Sequence, residues 1–319
     1  MSAWQAGLGT GSHGTARPEP ASWWRLVQPT VVASDPSPLR LRGRRLLLSP
    51  PWDDDGRMYS DADAAALYDV LNPWHPSDDF YLSLVMEAAS VLDVGCGTGT
   101  VLKAARAAGH PGRLVGIDPD RAALRVARVQ NDVEWIECTA ASLPHHREFE
   151  LAIMTGHAFQ CLVTDDELRA SLAAVHRALV PGGRFAFETR NPAARAWEQW
   201  ASAPPAHVVD PAGRPLQIAY EVLSVAGGVV SFTETTRNVD GTALRTDPAS
   251  LRFLDGAALA GFLAEAGFAV RAQFGGWSGQ PLEPDSTEIV TVAAGTPPPS
   301  GTPRAEHPTA GRTGRTRRG

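Results

Sequence analysis

The stretch Val91-Leu92-Asp93-Val94-Gly95-Cys96-Gly97-Thr98-Gly99-Thr100 decides the fold of this chain. Apolar residues interrupted by one acid lead into three glycines at alternate positions, and helix-forming residues follow from 101 to 109. This order predicts a strand, a tight turn and a helix. Glycines suit such a turn because they tolerate positive φ angles and let a ligand approach the backbone closely. The helix that follows directs its free N–H groups at the bound molecule.

A second acid lies where a nucleotide-binding sheet needs one. Residues 113–118 form a short apolar run that ends in Asp118, 19 residues after Gly99. In a doubly wound parallel sheet, a carboxylate at this point accepts hydrogen bonds from the two hydroxyls of a ribose. The glycines follow the spacing G-x-G-x-G, because Thr100 stands where a dinucleotide fingerprint has its third glycine. This difference disfavours a nicotinamide-dependent dehydrogenase.

The same residues resemble the first motif of the class I S-adenosylmethionine-dependent methyltransferases, D-x-G-x-G-x-G, in which Asp93 and the three glycines match position by position. Residues 179–183, Leu-Val-Pro-Gly-Gly, are similar to the L-x-P-G-G turn of that family. The resemblance covers residues 58–294. It implies an α/β fold with a doubly wound, Rossmann-like sheet of seven strands whose last strand is antiparallel, and S-adenosyl-L-methionine as the cofactor.

The expected cofactor-binding residues lie along the carboxyl edge of that sheet. The resemblance implies that Tyr68 lies on a lid helix over the cofactor, although a packed aromatic side chain is the alternative. The family has an acid after the third strand that binds the adenine amino group, and Thr139 takes its place here. Either its hydroxyl or a backbone carbonyl is expected to serve instead. The expected set is Tyr68, Asp93, Gly95, Cys96, Gly97, Gly99, Asp118, Pro119, Thr139, Ala140 and Met154.

Three polar residues are the candidates for catalysis. His157 follows the predicted fourth strand, 149–154, where the resemblance places a catalytic or cofactor-facing residue. Histidine suits a general base at neutral pH, since its unperturbed pKa is about 6.5, although a structural role for His157 is the alternative. Glu188 and Arg190 end the next strand and are candidates for orienting a substrate, unless Glu188 is only a partner for Arg190. The three scattered cysteines indicate neither a metal site nor a disulfide framework.

Charge and hydropathy narrow the class of partner. The net charge is −6, but the two ends of the chain are basic, which leaves −12 for residues 58–294. Because phosphate neutralisation supplies much of the affinity for nucleic acids, this acidic body disfavours an RNA or DNA substrate. No apolar run approaches the ~18 residues that a membrane-spanning helix requires, and a secretory pattern is lacking. We therefore expect a cytoplasmic protein that has no membrane partner and is a monomer or a homodimer.

Composition divides the chain into three parts. Residues 1–57 show no helical or strand period and are expected to be poorly structured, and translation starts either at Met1 or at Met58. Residues 58–294 form the expected methyltransferase domain. Within it, residues 216–253 read as an antiparallel β hairpin cap over the active site, with a turn at Gly227-Gly228. Residues 295–319 are expected to form a disordered basic tail.

These observations predict an enzyme that transfers a methyl group from S-adenosyl-L-methionine to a small-molecule acceptor by in-line displacement, without a metal. One alternative is an RNA methyltransferase, but Met154-Thr155-Gly156-His157 is not the N/D-P-P-Y/F motif that stacks a flipped base. A second alternative is a non-catalytic cofactor-binding module with a protein partner, which the missing acid at Thr139 keeps open.

Overall fold

The structure is a computed structural model that describes residues 59–296. Its α-helices in this range are α1 (Asp61–Leu71), α2 (Pro76–Glu87), α3 (Thr100–Ala107), α4 (Arg121–Ala127), α5 (Asp165–Ala178), α6 (Ala196–Ser202) and α7 (Gly256–Glu265). The strands are β1 (Ser90–Val94), β2 (Arg113–Asp118), β3 (Glu134–Glu137), β4 (Phe149–Met154), β5 (Leu179–Arg190), β6 (Ala206–Val209), β7 (Pro215–Ala226), β8 (Val229–Asn238), β9 (Ala243–Arg252), β10 (Phe268–Phe274) and β11 (Glu288–Gly295).

A seven-stranded sheet forms the centre of the molecule. Its strand order is β10-β11-β5-β4-β1-β2-β3, in which β1 to β5 are parallel and β11 runs antiparallel between β5 and β10. Strands β1 and β4 are almost wholly buried, as expected where helices cover both faces of a parallel sheet. The predicted doubly wound sheet of seven strands, with its last strand antiparallel, is confirmed.

A second, four-stranded antiparallel sheet follows the order β6-β7-β8-β9. The β7–β8 hairpin turns at Gly227 and Gly228, whose φ angles are +58° and +75°, as the sequence predicts. The cap is larger than the expected span 216–253, because β6 pairs with β7 along the edge of this sheet. Strand β6 has four residues, which are too few to give a clear period in the sequence.

Helix α1 connects the two sheets. Its Leu67 is buried against apolar residues of β6 and β7. Asp61 forms an ion pair with Arg245 of β9, and Asp63 forms one with Arg214 in the turn between β6 and β7. On the other side, Asp69 accepts a hydrogen bond of 2.5 Å from the Thr98 hydroxyl in the glycine loop. The helix therefore lies over the edge at which the parallel strands end.

The expected segment 1–57 and residues 297–319 of the expected tail 295–319 lie outside the described residues. Gly295 ends β11 and pairs with Phe268, although the expected tail began there, and the Thr296 amide donates to the Gly267 carbonyl at 2.8 Å. Among the helices of residues 59–296, none combines the length and the apolar character that crossing a bilayer requires.

Candidate functional site

The glycine loop between β1 and α3 follows the backbone conformation that its sequence requires. Gly95, Gly97 and Gly99 have φ angles of +74°, +55° and +83°, a region that residues with a Cβ avoid. The amides of Gly95 and Cys96 donate to the Ile117 carbonyl at 2.8 and 3.0 Å, which fixes the loop to the end of β2. A Cβ at Gly97 would meet no atom within 4 Å, so open space lies next to its backbone.

Asp118 ends β2 and holds two backbone groups. Its Oδ2 accepts from the Gly97 amide at 2.8 Å and its Oδ1 accepts from the Asp120 amide at 2.7 Å. Burial raises the pKa of Asp118, although these two hydrogen bonds work in the opposite direction. Each carboxylate oxygen has a second acceptor position, so the side chain retains the capacity to bind a diol.

Asp93 is a buried carboxylate whose Oδ1 has no hydrogen-bond partner among the described residues. Burial raises its pKa to about 8, and the charges of Asp118 and Glu188 act in the same direction. Asp93 lines a cavity of about 150 Å³ together with the glycine loop. Because an unpaired buried carboxylate oxygen is costly, a donor or a positive charge on a ligand at this position would be stabilised.

A network of acids holds the loop after β4. Glu188 is buried and accepts hydrogen bonds from the Tyr81 hydroxyl and from the His157 amide, the latter at 2.8 Å. His157 has a φ of +62°, which is uncommon for a residue other than glycine. Its Nε2 lies 3.0 Å from Oε2 of Glu288 on β11. The alternative in which Glu188 pairs with Arg190 does not match these contacts, since the Glu188 oxygens bind Tyr81 and His157.

Sequence reasoning missed Glu288. The only signal for it was an acid at the start of an otherwise apolar strand, and its partner His157 lies 131 positions earlier. The antiparallel register of β11 against β5 places Glu288 opposite Arg190, at the ligand-binding edge of the sheet.

Arg190 lies at the end of β5. Its amide and its Nη1 each donate to Gln160 Oε1 at 3.2 Å, and its guanidinium lies 5.1 Å from the centre of the Trp200 ring. The side-chain amide of Gln160 in turn donates to the Arg252 carbonyl at 2.9 Å. Arg190 is thus fixed by Gln160 on one side and by Trp200 on the other.

A second cavity of about 230 Å³ lies between α1, α6 and the second sheet. It shares Tyr68, Asn72 and Arg190 with the cavity at the glycine loop, so the two spaces adjoin. The other lining residues are Ala64, Leu67, Leu71, Trp200, Tyr220, Phe232, Glu234, Thr236, Asp247 and Leu251. This space is separate from the glycine loop but opens on the same sheet edge.

Tyr68 covers the junction between the cavities. Its side chain is 44% exposed, and its hydroxyl lies 3.2 Å from the point that a Cβ on Gly156 would occupy. A core-packed aromatic would be buried, so this placement favours the lid position over the packing alternative. Gly156 leaves the room that the hydroxyl occupies.

Several expected cofactor-binding residues lie outside both cavities. Met154 is buried in the core, and the Thr139 hydroxyl is 2.9 Å from Ser142 Oγ in a short local turn. A Cβ on Gly99 would lie 2.3 Å from the Trp135 ring, so this glycine is required by packing. Asp118, Pro119 and Ala140 also line neither cavity, whereas Asp93, Gly95, Cys96 and Gly97 line the one at the glycine loop.

Comparison with known proteins agrees with this geometry. Residues 91–183 match a family model described as a methyltransferase domain. Residues 91–183 of this chain are therefore similar to a methyltransferase domain. The region matched by the model contains the glycine loop, Asp118, His157 and the Pro-Gly-Gly turn, so the resemblance stated from the sequence is confirmed.

Two curated methyltransferases are similar to part of the chain. A 2-phytyl-1,4-naphtoquinone methyltransferase of Thermosynechococcus vestitus is 32% identical over 151 residues, which are 43% of this chain and 65% of that protein. A cypemycin N-terminal methyltransferase of a Streptomyces species is 32% identical over 111 residues, 34% of this chain and 44% of that protein. The chain thus spans less than two thirds of the length of either relative.

A solved structure shows the same fold. An S-adenosylmethionine-dependent methyltransferase of Clostridium acetobutylicum superposes with a TM-score of 0.59, at 16% identity, over 73% of this chain and 98% of that one. At this identity the likeness concerns the fold.

The residues at the sheet edge fit S-adenosyl-L-methionine, the cofactor that the resemblance implies. The open space at Gly97 gives the ligand access to the backbone. The unpaired oxygen of Asp93 would accept a hydrogen bond from a positively charged group of this cofactor, and Asp118 keeps acceptor positions for the ribose hydroxyls.

Proposed function

We propose that this chain is an S-adenosylmethionine-dependent methyltransferase that acts on a small-molecule acceptor. The observation that supports this proposal is the pair of adjoining cavities, one at the glycine loop and one under α1, that share Tyr68, Asn72 and Arg190. Two molecules bound in them would meet beside His157, which lines the first cavity. We also propose that the protein is cytoplasmic and that it is a monomer or a homodimer.

The protein has to supply little covalent chemistry for this reaction. S-adenosyl-L-methionine supplies a methyl group that its sulfonium already activates, so the protein has to hold the acceptor in line and exclude water. Tyr68 and Asn72, at the end of α1, cover the shared region of the two cavities. The apolar residues Leu67 and Leu71 on the same helix line the acceptor side, where they keep water away from the acceptor.

His157 is the residue that we assign to proton removal. Its Nε2 faces the Glu288 carboxylate at 3.0 Å, and this pairing favours the tautomer with hydrogen on Nε2. The lone pair then lies on Nδ1. Within residues 59–296 this nitrogen makes no hydrogen bond, and it is not one of the buried polar atoms that lack a partner. An acceptor hydroxyl or ammonium would transfer its proton to Nδ1, with Glu288 as the positioning residue for the ring.

The test is transfer of a labelled methyl group. Wild type and His157→Ala are incubated with labelled S-adenosylmethionine and either the small-molecule fraction or the total RNA of a cell extract. We expect label in a small molecule with wild type and about 100-fold slower transfer with His157→Ala, while S-adenosylhomocysteine binding is retained. His207→Ala is the matched control, because His207 is an exposed residue of β6 that lines neither cavity.

The other results of this experiment contradict the proposal in different ways. Label in the RNA fraction would support an RNA methyltransferase. Tight binding of the cofactor without any labelled product would support the non-catalytic binding module.

A further inference from the structure

Among the residues that the structure describes, Arg190 is a cation without an ion-pair partner. It is the one lysine or arginine among the described residues that line either cavity. Within residues 59–296 it forms no ion pair, and its side chain is held by the neutral Gln160 and by the face of the Trp200 ring. A guanidinium keeps its charge in proteins, so Arg190 brings a full positive charge to the boundary between the cavities.

The acids around Arg190 are engaged by other groups. Glu188 binds Tyr81 and the His157 amide, and Glu288 binds His157 Nε2. In the second sheet, Glu234 is hydrogen-bonded by the Tyr220 hydroxyl, which faces it across β7 and β8.

Asp247 is the remaining acid of the second cavity. It lies opposite Glu234 in the register of β8 and β9, and its carboxylate accepts a hydrogen bond from Arg245 Nε. The acids of this cavity therefore have donors of their own. The positive charge of Arg190 is offset only at longer range, by Glu188 and Glu288.

Burying the charge of Arg190 without an ion-pair partner costs free energy. Burial lowers the pKa of Arg190, because removal of water disfavours the charged form. A negatively charged group on a bound molecule would replace the lost water and pair with the fork of the guanidinium, which matches the two oxygens of a carboxylate or a phosphate. The walls beside Arg190, formed by Trp200, Phe232 and Leu251, suit an apolar body.

We propose that the methyl acceptor carries an anionic group, a carboxylate or a phosphate, that binds Arg190, on an apolar ring system that packs on Trp200 and Phe232. This inference rests on the proposed function, since it assigns the second cavity to the acceptor. Arg190 then fixes the end of the acceptor nearest to the glycine-loop cavity, which is the end where the methyl group is received.

The test uses three probes that share one ring system: 1-naphthoate, 1-naphthyl phosphate and the neutral 1-naphthamide. Their dissociation constants are measured by calorimetry with S-adenosylhomocysteine at saturation. We expect wild type to bind at least one anion roughly tenfold more tightly than the amide, as a charge-assisted hydrogen bond warrants. The comparison of the two anions decides between carboxylate and phosphate.

Variants assign the effect to one side chain. Arg190→Gln should bind anion and amide equally, and Arg190→Lys should keep part of the preference because it retains the charge but loses the fork. Arg169→Gln is the matched control, since Arg169 is on the exposed face of α5 and pairs with Glu265. Thermal melting of each variant verifies that it is folded.

Equal binding of the three probes to wild type would overturn the inference, and so would saturation with S-adenosylhomocysteine without binding of any probe. Loss of S-adenosylhomocysteine affinity in Arg190→Gln, with unchanged naphthoate binding, would assign Arg190 to the cofactor and also overturn it. Failure of wild type to bind S-adenosylhomocysteine is a different result, because it contradicts the proposed function itself.

Discussion

Nε2 of His157 lies 3.0 Å from Oε2 of Glu288, although the two residues are 131 positions apart in the chain. The contact exists because β11 inserts between β10 and β5 and runs antiparallel to both, which brings its first residue to the ligand-binding edge. The ring of His157 is thus held by a carboxylate from the last strand, while its backbone is held by Glu188 from β5.

This pairing predicts a graded response at position 288. Glu288→Ala should lower the turnover rate about tenfold or more, because the imidazole loses the group that fixes its tautomer and its orientation. Glu288→Gln should lose less, since its amide oxygen still accepts from Nε2. Turnover is measured at saturating cofactor, and S-adenosylhomocysteine affinity should stay unchanged in both variants. Equal losses in the two variants would contradict a positioning role.

Asp118→Ala should weaken cofactor binding. Loss of a hydrogen bond to a charged group costs roughly 1.5 to 3 kcal/mol, so the dissociation constant for S-adenosylhomocysteine, measured by calorimetry, should rise by at least tenfold. Asp118 also holds the Gly97 amide, so a modest loss of thermal stability is expected as well. Glu137→Ala is the control, because Glu137 ends the neighbouring strand β3 and pairs with the exposed Arg121. An unchanged dissociation constant in Asp118→Ala would remove this residue from the site.

Because the pKa of Asp93 is raised, we expect the stability of the ligand-free protein to depend on pH. Its pKa is about 8 in the folded state and 3.8 in its unperturbed form, so between these values the folded protein holds a proton that the unfolded chain has released. The free energy of unfolding should therefore fall as pH rises from about 4 to 8, by up to about 1.4 kcal/mol per pH unit from this group. In Asp93→Asn the free energy of unfolding should fall less steeply as pH rises.

The measurement is urea denaturation across this pH range. Asp132→Asn is the matched control, because Asp132 lies on the surface in a loop before β3. If the free energy of unfolding changes with pH at the same slope in wild type and in Asp93→Asn, the assignment to Asp93 is wrong. Glu188 and Asp118 also have raised pKa values through burial, so part of the slope should remain in Asp93→Asn.

Gly99 and Gly97 should respond differently to alanine. A Cβ at Gly99 would lie 2.3 Å from the Trp135 ring and would also sit at a φ of +83°, so Gly99→Ala should lower the free energy of unfolding by roughly 2 to 4 kcal/mol. Gly97→Ala meets no neighbour and should cost only about 1 to 2 kcal/mol, from its φ of +55°. Its larger effect should be on S-adenosylhomocysteine affinity. Denaturation and calorimetry separate the two effects, and equal stability of the two variants would refute the packing role of Gly99.

The parts of the fold that could be predicted are those that local chemistry determines. Alternate glycines before a helix require positive φ angles, and the observed loop has them at Gly95, Gly97 and Gly99. The apolar run at 149–154 and the Gly227-Gly228 turn likewise define elements within a few residues of chain. Their positions follow from backbone preference and hydrophobic pattern alone.

The rest depends on contacts between distant segments. Glu288 reaches His157 only through the register of β11, and the second cavity requires α1 to pack on strands more than 130 residues later. No local pattern marks the short strand β6 or the isolation of Arg190 from acids. The packing of Gly99 against Trp135 could not be predicted for the same reason, because Trp135 lies on another strand.

The second sheet and α6 occupy one continuous stretch of chain between β5 and α7, and the seven-stranded sheet resumes after it. Most of the lining residues of the second cavity come from this stretch, whereas the glycine loop, Asp118 and His157 come from the segments before it. The proposed acceptor site and the proposed cofactor site thus draw most of their residues from different parts of the chain. We expect substitutions within residues 191–255 to change which apolar body fits the second cavity, while Arg190, α1 and the glycine loop keep their contacts.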